Sequence, residues 1–119
     1  MVFDHLNQPP IGVALGAWGG LMKTASEHPH FYAKLSGLGT ASRLGEAWTA
    51  KDITPCMDFV LQHFGEDRCF CGGDWPVSLL AGSYTKTWQI YREVLTALLD
   101  KEGREKVLND NARKFYQLD

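Results

Sequence analysis

Three short apolar segments, Val2-Phe3, Phe31 to Ser36 and Cys69-Phe70-Cys71, stand about 30 to 40 residues apart, and a helical pattern fills each gap. A hairpin closes in a few residues, whereas a parallel pair needs a crossover long enough to carry the chain back over the sheet. The spacing therefore predicts strand–helix–strand units in a parallel α/β arrangement rather than an antiparallel meander. Three such strands are too few to close a sheet, so the chain reads as the end of something larger.

The gaps support this reading residue by residue. Val2-Phe3-Asp4-His5 runs as a strand into a loop, and Pro9-Pro10 stops regular pairing because neither proline can donate an N–H. Between Val13 and Glu27, Ala14, Leu15, Trp18, Leu21, Met22 and Ala25 recur at spacings of three and four, one helical face. Residues 37–50 show no clear period and predict a long loop with a helical turn around Glu46. Thr54-Pro55 predicts a helix start, with Met57, Val60, Leu61 and Phe64 forming its apolar face and Gly65 its stop. Tyr84 to Asp100 carries the clearest stripe, Trp88, Tyr91, Leu95, Leu98 and Leu99, with Ser83 as N-cap and Gly103 beyond the end. Arg104 to Leu108 and Asn111 to Leu118 predict two closing helical pieces, the second capped by Asp110.

Charge and cysteine content exclude several functions. Twelve Lys+Arg against 14 Asp+Glu give a net charge of −2 and no basic footprint for a phosphate backbone, so no nucleic-acid partner is expected. The apolar run from Ile11 to Met22 is too short to span a bilayer and is preceded by Asp4 rather than a basic n-region, so neither a membrane span nor a signal peptide is expected. Cys56, Cys69 and Cys71 are an odd number, which argues against a disulfide framework and for a reducing, cytoplasmic compartment.

Parallel sheets place chemistry at the carboxyl ends of their strands. Two acid–base groups stand there, His5 after the first strand and Asp74 after the last, although Asp is also an ordinary turn residue and His5 an ordinary structural one. Lys34 sits inside an otherwise apolar strand, where its charge must reach solvent, a carboxylate or a ligand. His28 and His30 flank a proline at the opposite edge and make a poor metal pair. Cys69 and Cys71 share one side of their strand and read as small buried residues. His63 falls in the last turn of its helix, where a partial positive charge suits the dipole. Gly72-Gly73 matches no phosphate-loop pattern, so no nucleotide site is expected.

Four ordered motifs are familiar: Phe3-Asp4-His5-Leu6 leading to Pro9; Tyr32-Ala33-Lys34-Leu35-Ser36-Gly37-Leu38; Phe64-Gly65-Glu66-Asp67-Arg68 through Gly72-Gly73-Asp74-Trp75-Pro76-Val77; and Asn111-Ala112-Arg113-Lys114-Phe115-Tyr116-Gln117-Leu118. In this order they resemble the amidohydrolase-related TIM-barrel hydrolases, in particular the sugar-lactonase and dicarboxylate-lactonase branch. The resemblance implies an incomplete barrel, with residues 1–119 as the C-terminal three strand–helix units of a (β/α)8 fold of about 250 residues.

It also implies the roles. Asp74 would be the acid–base group that activates water and binds a divalent metal, zinc or manganese, where one is present. His5 would orient or polarise the substrate carbonyl, Lys34 would bind substrate and Trp75 would wall the pocket. The substrate would be a small lactone or carboxylated molecule. The family's first-strand His-x-His pair is absent, and Gly73 stands where many relatives have serine, so the metal site is incomplete and the 119-residue chain alone is expected to be inactive. A decarboxylase branch follows its histidine with glycines and its aspartate with tyrosine. Here Leu6 and Trp75 follow instead, which favours lactone hydrolysis over decarboxylation, while the missing first-strand pair keeps a truncated, non-catalytic product as the alternative. The first and last strands would each border a missing strand, so self-association through unpaired edges is expected.

Overall fold

The computed structural model describes residues 2–3, 6, 9–11, 15–72 and 82–116. Its strands are β1 (Val2–Phe3), β2 (Tyr32–Leu35) and β3 (Cys69–Cys71), joined as a parallel sheet in the order β1-β2-β3. Val2 pairs with Tyr32, and Ala33, Lys34 and Leu35 pair with Cys69, Phe70 and Cys71. The parallel arrangement expected from the spacing is the one found, and β2 is the central strand.

Helix α1 (Gly16–Ser26) crosses from β1 to β2, and α3 (Ala50–Phe64) crosses from β2 to β3. A short helix, α2 (Leu38–Ala41), and a 3-10 turn (Gly45–Ala47) occupy the segment between β2 and α3. The turn around Glu46 was expected, but α2 was not, because four residues are too few to show a period. Helix α3 begins four residues before Thr54. Asp52 accepts the N–H of Thr49 at 2.7 Å, and this exchange at Thr49 outranks the Thr54-Pro55 signal. Pro55 is carried inside the helix. At the other end Gly65 takes φ +79°, a value costly for any residue with a Cβ, and ends the helix as expected.

After β3 comes α4 (Tyr84–Leu98), capped by the Ser83 side chain, which accepts the N–H of Lys86. The tail departs from expectation. It is one continuous helical rod, α5 (Lys101–Glu105), a π-helical turn (Lys106–Asp110) and α6 (Asn111–Phe115). Asp110 lies within the rod in helical conformation and caps nothing. Asp100 is the cap instead, its carboxylate accepting the N–H of Gly103 at 2.8 Å, and Gly103, beyond the end of α4 as expected, is buried inside α5.

The two faces of the sheet are packed differently. Ala33, Leu35, Cys69 and Cys71 join Trp18 and Met22 of α1, Met57 and Val60 of α3 and Tyr91 and Val94 of α4 in one apolar core. On the other face, Tyr32 and Phe70 meet the rings of Phe115 and Tyr116, with Tyr32 to Phe115 at 4.9 Å and Phe70 to Tyr116 at 5.7 Å between centroids. Lys34, the register partner of Phe70, shares this second face.

Candidate active site

The carboxyl edge of the sheet is fixed at each strand. Beyond β1, Leu6 is held at φ +50°, an unfavourable conformation for a γ-branched residue, and its carbonyl accepts the indole N–H of Trp18 at 2.8 Å. The residue directly following His5 in sequence is thus pinned to α1. His5 itself, Asp74 and Trp75 lie outside the described residues.

Lys34 is described, and its course is specific. Its Cε lies 2.5 Å from where a Cβ on Gly72 would stand, and its Nζ lies 3.4 Å from the same point. The side chain therefore leaves β2 and crosses over the glycine that ends β3, reaching the backbone two residues ahead of Asp74 in sequence. Ser36, fully buried, borders the same point at 3.4 Å through its Cβ. Gly72 continues the ladder by donating its N–H to Leu35 at 3.1 Å. Of the outlets open to a charge in an apolar strand, Lys34 takes the one toward the carboxyl edge.

The segment leaving β2 is locked from below. Trp48 is buried against Gly39, whose missing side chain leaves room for the indole. The Tyr91 hydroxyl accepts the N–H of Leu38 at 3.3 Å, and the rings of Trp48, Tyr91, Trp88 and Tyr84 follow one another with centroids 6.0 to 6.3 Å apart. Lys86, in the first turn of α4, lies 5.8 Å over the Trp48 ring and donates to the carbonyl of Glu46. The loop after β2 and the start of α4 are thereby tied together. The sequence pattern places Tyr91 in an apolar helical stripe and assigns Trp48 no role, because residues 37–50 show no period. Gly39, which from the sequence reads only as a breaker after the strand, is the residue that makes room for the indole.

The cysteines are not nucleophiles. Burial pushes the thiols of Cys56 and Cys69 up to about 12, and that of Cys71 upward as well, so all three are protonated near neutral pH. All three are free and buried, as expected from the sequence for Cys69 and Cys71. His28 stacks on Phe31 at 5.3 Å and His63 on Phe59 at 4.3 Å, so both histidines pack against rings. Among the described residues no three His, Cys, Asp or Glu side chains gather in a set able to hold a metal. No helix among them is long and apolar enough to cross a membrane.

The family model described as amidohydrolase matches residues 1–118. The chain belongs to the amidohydrolase family. It is 34% identical over 123 residues to a Burkholderia ambifaria protein named L-fucono-1,5-lactonase, with 100% of this chain and 42% of that protein covered. A Burkholderia multivorans protein of the same name is 31% identical over 127 residues, with 99% and 43% covered. Among solved structures, a zinc-bound amidohydrolase from Burkholderia multivorans superposes with a TM-score of 0.91 at 32% identity, over 99% of this chain and 44% of that one. This amidohydrolase chain thus spans less than half the length of the curated relatives it matches. The α/β architecture is shared with them.

Proposed function

We propose that residues 1–119 are the carboxyl-terminal three strand–helix units of an amidohydrolase-related (β/α)8 barrel, and that the whole enzyme hydrolyses a small sugar or dicarboxylate lactone. The observation that carries this reading is the Lys34 ammonium, brought across Gly72 to the carboxyl edge of a parallel sheet, in a chain similar to proteins named lactonases. Barrel enzymes of this class do their chemistry at that edge.

The chemistry follows from the residue types. The oxygen of a water molecule attacks the lactone carbonyl carbon while the Asp74 carboxylate takes its proton. The carbonyl becomes an oxyanion, which a neutral His5 imidazole stabilises by donating a hydrogen bond. Collapse breaks the ring C–O bond. The leaving oxygen keeps the electron pair and takes the proton back from Asp74, giving a hydroxy acid. Lys34 would hold an anionic oxygen of substrate or product, and Trp75 would wall the pocket. A divalent metal, zinc or manganese, would be held through Asp74 and would supply Lewis acidity toward the carbonyl and the attacking water.

The test restores the preceding barrel strands and assays sugar and dicarboxylate lactones. Asp74→Asn is expected to lower kcat by about a hundredfold or more; undiminished turnover removes Asp74 from the mechanism. Carbon dioxide release without ring opening assigns the scaffold to decarboxylation instead. Among the described residues β1 and β3 each have one sheet neighbour, which supports self-association of the 119-residue chain through strand edges. Sedimentation at micromolar concentration is expected to show oligomers, and a monodisperse monomer overturns that expectation. The free, buried thiols support a cytoplasmic setting.

A further inference from the structure

We propose that Gly72 is a positioning residue for Lys34: by carrying no side chain it lets the lysine stem cross β3, so that the ammonium stands at the carboxyl edge to hold the carboxylate of a sugar acid. The placement rests on geometry alone, while the choice of ligand rests on the lactonase reading.

On the face of the sheet opposite the apolar core, β2 presents Tyr32, Lys34 and Ser36 in alternation, and β3 presents Phe70 and then Gly72. Phe70 is buried beside Lys34 and closed over by the rings of Phe115 and Tyr116. The lysine is thereby blocked toward the amino ends of the strands. Gly72 is the open position in the other direction, and Lys34 Cε sits within 2.5 Å of its absent Cβ. A methyl group there cannot coexist with the observed course of the stem. The atom it meets is near the free end of a flexible chain, so the lysine moves and the sheet does not.

Gly39 makes the instructive contrast. Its absent Cβ also points at another residue, but at the indole of Trp48, which is buried and has no freedom to retreat. Alanine at 39 strains the fold, whereas alanine at 72 relocates a charge. Glycine at 72 thus sets where the ammonium lies and leaves stability to other residues.

The experiment uses the 119-residue chain, with D-gluconate as the carboxylate probe, in four forms: unchanged, Gly72→Ala, Lys34→Met and the double variant. Nuclear Overhauser contacts between the Lys34 ε-methylene and the Gly72 α-protons are expected in the unchanged chain, and their absence overturns the placement. Gly72→Ala is expected to melt within a few degrees of the unchanged chain but to bind gluconate about tenfold more weakly, as does Lys34→Met. The double variant is expected to be no weaker than Lys34→Met alone, because both changes remove the same contact. Additive losses, or unchanged affinity in Gly72→Ala, overturn the proposal. Should Gly72→Ala fail to fold, Gly72→Ala/Lys34→Ala decides: recovery of a cooperative melt supports the lysine as the obstructing group, and continued unfolding overturns it. If the unchanged chain binds no gluconate, the ligand class fails while the Overhauser contacts and the melts still decide the role of Gly72.

Discussion

The amino and carboxyl edges of the sheet are built from opposite materials. At the amino edge the polar side chains of Arg68, Asn111 and Lys106 are committed to neighbours. Arg68 donates to the carbonyls of Ser26 and His28 at 2.8 Å and to those of Phe31 and Phe64 at 3.3 and 3.2 Å. Its guanidinium also lies 5.3 Å over the Phe64 ring. The buried Asn111 amide donates to the carbonyls of Cys69, at 2.8 Å, and Glu66. Nearby, Lys106 pairs with Asp67 at 3.0 Å and Glu66 at 3.4 Å, and these partners raise its pKa above the ordinary lysine value of 10.5.

At the carboxyl edge the materials are Gly72, the ammonium of Lys34 and the strained backbone of Leu6. At the amino edge, polar side chains hold backbone carbonyls in place, whereas at the carboxyl edge a missing side chain at Gly72 sets the course of a lysine.

Three changes break or sharpen this contrast. The largest effect is expected from Asn111→Ala, which leaves the carbonyls of Glu66 and Cys69 without their buried donor and costs about 3 kcal/mol. Chemical denaturation measures the loss, and gluconate affinity measured below the melt should be unaltered. A parallel loss of affinity would mean that the two edges are coupled.

Next comes Gly39→Ala, which drives a methyl group into the buried Trp48 indole and costs about 2 kcal/mol. It tests whether the loop leaving β2 has the rigidity of the amino edge. A thermal melt unchanged from the parent would show that Trp48 can yield.

The effect that is smallest at neutral pH, and grows only in alkali, loads both edges alike. The thiols of Cys56 and Cys69 rise on folding from 9.0 to about 12 because burial disfavours the thiolate, and Cys71 rises for the same reason. Below pH 9 both states are protonated and nothing changes. Above it the unfolded chain releases protons that the folded chain keeps, so stability falls as pH climbs from about 9 toward 12. The slope is about 1.4 kcal/mol per pH unit for each thiol. Denaturation midpoints between pH 8 and 10.5 check this, and Cys56→Ala should make the decline shallower.

How much the sequence disclosed depends on the range of the interaction involved. Strand spacing carried the parallel topology, because crossover length is a local property of the chain. The helix faces of α3 and α4, the Gly65 stop and the Ser83 cap were legible for the same reason. The start of α3 was misplaced because two cap signals, Thr49 with Asp52 and Thr54 with Pro55, stood five residues apart, and pattern alone does not rank them. The tail reads as two pieces in sequence because Asp110 has the chemistry of a cap, while the rod's anchor is the long-range bond from Asn111 to Cys69.

The same division holds at the candidate site. From the sequence, His5 and Asp74 are expected at the carboxyl edge because each follows a strand of fixed direction, and Lys34 is placed within a strand. The sequence by itself could not determine where the Lys34 ammonium goes, because that depends on a neighbouring strand whose residue at the critical point has no side chain. Only the register of β2 against β3 sets Gly72 under the lysine. Contacts between residues nearly forty positions apart leave no periodicity in the chain, and are fixed only when the sheet forms.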